Sequence, residues 1–363
     1  MSTTDRIRNF SSGPSMLPLP VLEQAAAEMT NYRNSGMSVM EMSHRSQVYI
    51  DIFDETKADL KRMLKIPDTH EILFMQGGAT LQFSAIPMNL ITKTGKAAYA
   101  VTGNFSDLAM KEAKKYGDIS IACSSADKNH SYIPTQEIIT LSGDESYFYY
   151  CANNTIYGTE WKYVPETGHV PLACDMSSNI LTIPLDISKF GLVYAGVQKN
   201  MAPAGMAVVI IDKELAGKEF PYTPKLLSYK LMIDSDSMHN TPPCYTIYIL
   251  GLVLKWLEKQ GGVEGMEKLK TKKAKILYDA LDNSSFYTGC AEKPSRSDMN
   301  VTFRTPSDEL DSLFVKESVK EGFENLKGHR VAGGLRASIY NAMPEEGVVE
   351  LAAFMKDFET RNG

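Results

Sequence analysis

The chain has 363 residues, of which 43% are hydrophobic and 23% charged, and its formal net charge is −6 at pH 7. This length suits two domains, and the composition is that of a globular protein and not of a disordered one. The acidic balance gives no reason to expect nucleic acid or an anionic membrane as a partner. The first 13 residues lack the apolar core of a signal peptide, and no run is long enough to span a bilayer. We therefore expect a cytoplasmic protein.

Cysteines and metal ligands do not suggest a cross-linked or metal-bound framework. The five cysteines lie singly in largely apolar or aromatic stretches, at Cys123, Cys151, Cys174, Cys244 and Cys290. An odd number with this distribution predicts buried free thiols in a reducing compartment. No metal site is predicted.

Hydrophobic periodicity predicts helices over 22–33 and 47–65, and then an alternation of strands and helices. The short apolar runs that predict strands are 71–75, 97–101, 119–123, 147–152, 170–174, 192–197 and 206–211. Such alternation is typical of an α/β fold in which helices cover both faces of a mostly parallel sheet.

The rest of the chain predicts a second, smaller unit. Residues 220–243 are rich in proline and polar side chains and predict an extended excursion. A helix over 245–259 should stop at Gly261 and Gly262. Helices over 263–281 and 307–321, strands over 300–304 and 335–340, and a last helix opened by Pro344 then form a small α/β unit. We expect a large domain over 15–260 and a small domain over 261–363 that includes the N-terminal arm 1–14.

The run Gln76-Gly77-Gly78-Ala79-Thr80 lies between a predicted strand and a predicted helix. Free main-chain N–H groups and the positive end of a helix dipole at such a turn can hold a phosphate. Taken alone, a glycine pair here more often forms only a tight turn.

Two further residues follow predicted strands directly. Asp175 follows the apolar run 171–174, and its position suits a helix cap and a ligand contact equally. Lys199 follows the strand 192–197 and precedes small residues and Pro203, which is unusual for a solvated helix lysine. Apolar surroundings favour the neutral, nucleophilic amine that Schiff-base chemistry requires, whereas a lone loop lysine usually points to water.

In combination, these signals favour pyridoxal 5′-phosphate as cofactor. A carboxylate at Asp175 would pair with the pyridinium nitrogen, and Lys199 would hold the aldehyde as a Schiff base. The turn at Gly78, Ala79 and Thr80 would supply a third anchor for the phosphate.

Ten segments, in chain order, resemble the phosphoserine aminotransferase family. The members of this family are class V aminotransferases of fold type I that use pyridoxal phosphate. The ten segments are 9–14 (NFSSGP), 42–45 (MSHR), 76–80 (QGGAT), 102–106 (TGNFS), 152–156 (ANNTI), 175–178 (DMSS), 198–200 (QKN), 240–243 (NTPP), 328–330 (GHR) and 336–342 (RASIYNA). The matches cover nearly the whole chain. The resemblance implies the fold-type I architecture, with a mostly parallel seven-stranded sheet in the large domain.

The resemblance also assigns roles to individual residues. It implies that Lys199 forms the Schiff base, that Asp175 binds the ring nitrogen and that Thr155 binds the ring hydroxyl. Phe105, where the family usually has tryptophan, would stack on the ring with less area, although a core phenylalanine is a real alternative. The remaining cofactor-binding residues would hold the phosphate: Ala79, Thr80, Gln198, and from the other subunit of a homodimer Asn240 and Thr241.

Five basic residues would bind the substrates. Arg336 would take the α-carboxylate, since its guanidinium offers a matching two-pronged geometry. The residues expected around the distal phosphate are His44, Arg45, His329 and Arg330, the last two from the other subunit. A surface ion pair is the alternative for Arg45 and Arg330.

The reaction implied by the resemblance moves the amino group of L-glutamate to 3-phosphohydroxypyruvate and gives O-phospho-L-serine and 2-oxoglutarate. Two alternatives stay open. One is a desulfurase or lyase of the same fold, although none of the cysteines lies in a flexible Gly/Ser loop. The other is a non-catalytic sheet protein that binds an anionic ligand.

Overall fold

The computed structural model describes residues 6–363. Up to residue 160 the strands and helices are β1 (Arg8–Asn9), α1 (Leu19–Ala27), α2 (Gln47–Met63), β2 (His70–Gln76), α3 (Gly78–Leu90), β3 (Lys96–Val101), α4 (Asn104–Ala113), β4 (Asp118–Ser124), β5 (Phe148–Cys151), β6 (Asn153–Asn154) and β7 (Thr159–Glu160). They are followed by β8 (Leu172–Asp175), β9 (Leu192–Gly196), β10 (Met206–Asp212), α5 (Tyr229–Asp234), α6 (Cys244–Lys259) and α7 (Gly262–Asp282). The last elements are β11 (Thr288–Gly289), β12 (Asn300–Arg304), α8 (Asp308–Lys320), β13 (Phe323–Glu324), β14 (Leu335–Ser338) and α9 (Glu345–Asn362).

Seven strands form the central sheet in the order β2-β10-β9-β8-β5-β3-β4. Strand β10 is antiparallel to both of its neighbours, and the remaining pairs are parallel. The predicted α/β class and mostly parallel seven-stranded sheet are therefore confirmed. Because the parallel strands share one direction, their carboxyl ends meet at a single edge, where ligands bind in open α/β sheets.

Both faces of this sheet are buried, as the continuous apolar strands predict. Successive side chains of a strand point to opposite faces, so Tyr149 and Tyr150 belong to different cores. Helices α2 and α6 pack against each other on the Tyr150 side, and helices α3 and α4 contribute to the core on the Tyr149 side. No helix among residues 6–363 is both long and apolar enough to cross a membrane.

A third core lies around the antiparallel sheet β11-β12-β14 of the second unit. Helices α7, α8 and α9 contribute side chains to it, and so does Phe10 of the N-terminal arm. Strand β1 of the arm pairs in parallel with β13. Helix α7 joins the two units, because Val263 packs in one core of the large sheet and Leu277 in the third core. The domain boundaries stay a prediction, and residues 1–5 of the arm lie outside the described residues.

Three local expectations from the sequence are wrong. Helix α1 ends at Ala27, short of residue 33, and a turn follows in which the Asn31 side chain accepts a hydrogen bond from the Gly36 N–H (2.8 Å). The segment 220–243 is not wholly extended, since Ser228 caps the short helix α5 through the Leu231 N–H (3.1 Å). Cys290 is exposed, because it follows the edge strand β11.

Candidate active site

Lys199 lies in the turn that follows strand β9, at the carboxyl edge of the sheet. Its Nζ donates hydrogen bonds to Thr155 Oγ1 (2.9 Å) and Ser178 Oγ (2.7 Å), and these two hydroxyls are 2.7 Å apart. Asn200 Nδ2 donates to the Ser178 carbonyl (2.9 Å), which ties the lysine turn to the loop after β8. The half-buried amine therefore has hydroxyl partners. The alternative of a loop lysine with its amine in water does not fit this arrangement.

Asp175 is the last residue of β8 and is only 5% exposed. Its Oδ1 accepts from the Ser177 N–H (2.8 Å) and its Oδ2 from the Tyr194 hydroxyl (3.0 Å). The first contact stabilises the turn after β8. A capping role and a ligand contact, the two interpretations of Asp175 from the sequence, are therefore compatible. Since a carboxylate oxygen can accept more than one hydrogen bond, capacity remains for a ligand N–H.

The glycine turn between β2 and α3 combines left-handed backbone with a free helix end. Gly77 and Gly78 have φ angles of 92° and 67°, and no side chain among residues 6–363 caps α3. A Cβ at Gly196 would lie 3.0 Å from Ala79 Cβ and 2.7 Å from Gln198 Oε1. The first turn of α3 and the Gln198 amide thus converge on the end of β9, and the open N–H groups there suit an anion.

Phe105 lies in the first turn of α4, partly buried at the margin of the core. The centre of its ring is 5.7 Å from Lys199 Nζ. The ring therefore borders the lysine pocket as well as the core, so its position fits both the stacking role and the packing alternative.

Arg336 is placed by strand β14 of the second unit and is 7% exposed. Its Nη1 donates to the Thr155 carbonyl (3.2 Å) and its Nη2 to Ser12 Oγ (2.8 Å). Its Nε is buried without a hydrogen-bond partner among the described residues. Burial lowers the pKa of this guanidinium. The side chain thus joins the N-terminal arm, the Thr155 loop and β14, and its Nε–H remains available to a ligand.

His329 and Arg330 lie in the connection that leads into β14. The Gly328 N–H donates to the Gly334 carbonyl (2.8 Å) and closes this connection at its base. Burial lowers the pKa of the His329 imidazole, and the positive charges of Arg336 and Arg330 lower it further. A cavity of about 330 Å³ adjoins Arg336 and this connection. His329 is therefore within the electrostatic range of Arg336 of its own chain.

Four other predicted residues are less closely joined to Lys199. His44 and Arg45 lie in the turn before α2, where the Arg45 N–H donates to Ser43 Oγ (3.3 Å). Asn240 and Thr241 precede α6, and the Thr241 carbonyl accepts from Gln76 Nε2 (2.7 Å) beside the glycine turn. In the part of the chain that the structure describes, no hydrogen bond connects these four side chains with Lys199 or Arg336.

The structure also shows contacts that sequence reasoning missed. Ser178 and Asn200 orient the lysine turn, Ser12 holds Arg336, and Tyr194 binds Asp175. Ser12, Ser178 and Asn200 fall within motifs that were recognised, but only as parts of a pattern. Tyr194 had no signal, because an aromatic residue in an apolar strand is typical of a core position.

Comparison with known proteins places this geometry in a family. The family model for class-V aminotransferases matches residues 7–351. A phosphoserine aminotransferase of Lysinibacillus sphaericus is 49% identical over 360 residues, covering 99% of each chain. The chain belongs to the class-V aminotransferase family.

Solved structures agree with this assignment. Phosphoserine aminotransferase from Bacillus circulans subsp. alkalophilus superposes with a TM-score of 0.97 at 47% identity, over 99% of this chain and 100% of that one. The pyridoxal-phosphate-bound phosphoserine aminotransferase from Trichomonas vaginalis has a TM-score of 0.93 at 39% identity, over 97% and 100% of the two chains. The family and the fold-type I architecture expected from the sequence are thus confirmed.

Proposed function

We propose that this chain is a pyridoxal-phosphate-dependent aminotransferase that moves the amino group of L-glutamate to 3-phosphohydroxypyruvate, giving O-phospho-L-serine and 2-oxoglutarate. The observation that carries the proposal is the placement of Lys199 and Asp175 at the ends of neighbouring parallel strands, with an uncapped helix at the same edge. The full-length identity of 47–49% to phosphoserine aminotransferases supports the choice of reaction.

The described residues fit pyridoxal phosphate. Asp175 has acceptor capacity left for a ring N–H, and Lys199 presents its amine between two hydroxyls. Phe105 would cover a face of the ring, and Thr155 would bind its hydroxyl. The residues that would hold the phosphate are Ala79, Thr80 and Gln198, with Asn240 and Thr241 from a second subunit.

The cofactor, when bound, supplies an aldehyde that takes up the substrate amino group and a protonated ring that stabilises negative charge at the substrate α-carbon. Lys199 Nζ anchors the cofactor before substrate arrives and then moves a proton from the α-carbon. The hydroxyls of Thr155 and Ser178 hold this amine on the edge of the sheet. Asp175 holds the ring nitrogen. The same groups serve both half-reactions, with glutamate and with phosphohydroxypyruvate.

Arg336 would bind the α-carboxylate that both amino acids share. Its Nε has no partner among the described residues, and a carboxylate accepts two parallel bonds from a guanidinium. The bonds to Ser12 and to the Thr155 carbonyl fix the plane of the guanidinium before substrate binds. This preorganisation places the α-carbon near Lys199.

The distal end of the substrate would be read by His44, Arg45, His329 and Arg330. A phosphate monoester carries about −1.5 to −2 charges at neutral pH, which two arginines and two histidines match better than one cation would. Because glutamate uses the same site, the cluster must also accept a carboxylate.

We propose further that the active sites are shared between the subunits of a homodimer. Met37, Met40 and Val48 expose 38%, 60% and 38% of their surface around the turn that carries His44 and Arg45. A second copy of the chain would cover this apolar surface, and its Asn240, Thr241, His329 and Arg330 would complete the site that contains His44 and Arg45. Thr241 and Arg330 are both exposed in the single chain, as residues that act across an interface would be.

Subunit exchange tests the shared site. A Lys199→Ala chain is mixed with an Arg330→Ala chain, and in parallel with an Arg45→Ala chain, and exchange is verified by mass. If the arginine acts in the partner's site, about half of the dimers are hybrids with one intact site, so about a quarter of wild-type activity returns. If it acts in its own chain, activity stays at the background of the two variants. Failure of both mixtures would contradict the shared site.

The reaction itself is tested by single half-reactions. Individual amino acids are added to the purified holoenzyme, and the loss of its visible absorbance is followed. We expect phosphoserine and glutamate to discharge the absorbance and alanine or aspartate to do so far more slowly. Arg45→Ala and Arg330→Ala should each lose roughly ten- to a hundredfold in efficiency with phosphoserine and less with glutamate. Discharge by cysteine alone would instead favour the desulfurase alternative.

A further inference from the structure

Two tyrosines connect Asp175 with the interior of the large domain. The Tyr194 hydroxyl is 3.0 Å from Asp175 Oδ2, and the Tyr149 hydroxyl is 2.8 Å from that of Tyr194. Both tyrosine side chains are at most 1% exposed. The three side chains come from three adjacent strands, β5, β8 and β9.

The sheet register explains why these hydroxyls meet. Asp175 is paired with Tyr194 across β8 and β9, and Tyr149 is paired with Ala173 across β5 and β8. Paired residues of neighbouring strands share a face, so all four side chains point to the same side. Ala173 is small, and the two tyrosine rings approach over it with centroids 6.5 Å apart.

The direction of this hydrogen-bond chain follows from proton counting. An ionised carboxylate only accepts hydrogen bonds, so Tyr194 must donate its single hydroxyl proton to Asp175. The Tyr194 oxygen is then the acceptor, and Tyr149 must be the donor. Burial raises the pKa of both phenols well above the usual value, and the negative charge of Asp175 raises it further, so both protons are retained.

We propose that Tyr149 and Tyr194 are positioning residues that stabilise Asp175 as a carboxylate and thereby keep the proton of the bound cofactor on its ring nitrogen. This inference rests on the proposed function. Asp175 and the ring nitrogen compete for one proton, and a hydrogen bond donated to the carboxylate favours its charged form. Tyr149 strengthens the effect, since a hydroxyl that accepts one hydrogen bond donates a stronger one.

An alternative explanation is that Tyr149 and Tyr194 only fill the core. Tyr99 provides a matched control for it. Tyr99 lies in the same core and is also fully buried, and its hydroxyl bonds the Tyr147 hydroxyl (2.7 Å) rather than Asp175. A Tyr99→Phe variant therefore loses a buried hydrogen bond between two tyrosine hydroxyls, keeps the ring that stacks on Tyr149, and leaves the contacts of the carboxylate unchanged.

The test uses holoenzymes loaded with pyridoxal phosphate labelled with ¹⁵N in the ring. The ¹⁵N chemical shift reports whether the ring nitrogen is protonated. We expect the shift in Tyr194→Phe to move towards the unprotonated value, the shift in Tyr149→Phe to move less, and the shift in Tyr99→Phe to equal that of the wild type. Asp175→Asn, which has no carboxylate beside the ring nitrogen, should show the largest change in the ¹⁵N shift. Phosphoserine turnover should fall roughly tenfold in kcat for Tyr194→Phe, with KM changed less than about twofold.

Melting temperature separates this effect from loss of fold. The double variant Tyr149→Phe/Tyr194→Phe leaves no orphaned hydroxyl, and it should retain a melting temperature close to that of Tyr99→Phe and still show the altered shift. An unchanged ¹⁵N shift in both Tyr194→Phe and the double variant would overturn the inference while leaving the proposed function intact. A wild-type chain that takes up no pyridoxal phosphate would overturn the proposed function, and this inference with it.

Discussion

Replacement of Arg336 should impair both substrates equally. Arg336→Gln removes the charge that would meet the α-carboxylate and the two charge-assisted hydrogen bonds of the fork. Each such bond contributes about 1.5–3 kcal/mol, so kcat/KM should fall by roughly a hundred- to ten-thousandfold. Because phosphoserine and glutamate share the α-carboxylate, we expect losses of the same size with either.

Two further variants resolve the contributions at this position. Arg336→Lys keeps the positive charge and loses the two-pronged geometry of the guanidinium. Its kcat/KM should therefore lie between that of the wild type and that of Arg336→Gln. Ser12→Ala leaves the guanidinium in place and removes the Oγ that holds its Nη2 at 2.8 Å. We expect it to lose roughly tenfold or less, since the guanidinium keeps its charge, its bond to the Thr155 carbonyl and its own bonds to the substrate, and only its orientation is affected.

The decisive assay compares phosphoserine with O-phosphoethanolamine, which is the same molecule without its α-carboxylate. Phosphoethanolamine is used as a competitive inhibitor, and its inhibition constant is measured for each variant. If Arg336 binds the α-carboxylate, Arg336→Gln should weaken the binding of phosphoserine strongly and that of phosphoethanolamine hardly at all. Equal weakening of both would refute the assignment and would place Arg336 among the phosphate-binding residues. Visible absorbance of each variant shows that the cofactor site is still formed.

Three other predictions concern Lys199, His329 and Lys273. Lys199→Ala should abolish turnover and the covalent link to the cofactor, and a borohydride-reduced adduct detected by mass would contradict the role of Lys199. Burial and two arginines lower the pKa of His329, and a bound phosphate should favour its protonated form. KM for phosphoserine should therefore rise from about pH 6 to about pH 8, more steeply in the wild type than in His329→Asn, and parallel curves would exclude this titration. Lys273 Nζ donates to three buried carbonyls within 339–343 at 2.7 to 3.1 Å, so Lys273→Met should lower the free energy of unfolding by roughly 3–5 kcal/mol. The exposed Lys275→Met on the same helix should change it by less than about 1 kcal/mol, and similar effects of the two substitutions in denaturant titrations would refute this reasoning.

Local sequence patterns determined much of the fold. Buried parallel strands need apolar side chains on both faces, so the seven strands of the large sheet were visible as short apolar runs. Lys199 and Asp175 could be predicted as a pair because each follows such a run, and chain direction alone brings parallel strand ends to one edge. The glycine turn before α3 was recognised for the same reason. The family resemblance then specified which chemistry these positions serve.

The limits of local reasoning are clear at the ends of elements. The segment 220–243 is not wholly extended because the Ser228 side chain caps helix α5, and helix α1 stops before a local turn in which Asn31 binds the Gly36 N–H. Local hydrogen bonds of this kind compete with the periodicity on which the prediction rests, and each depends on a single side chain. The apolar surroundings of Cys290 in the sequence predict burial, but the strand β11 that precedes it is at an edge of its sheet, and strand order is not contained in local sequence.

Only the tertiary structure decided which distant side chains meet. Ser12 and Arg336 stand near opposite ends of the chain, and they are joined because the N-terminal arm packs against the second unit next to β14. Tyr149, Tyr194 and Asp175 align because of the register of three strands, and a slip by one residue would turn Tyr194 to the opposite face. By itself, then, the amino-acid sequence determined the strands and the residues at their carboxyl ends, since those depend on short-range periodicity. The hydrogen bonds that orient Lys199, Asp175 and Arg336 depend on contacts between segments far apart in the chain, and these exist only in the folded protein.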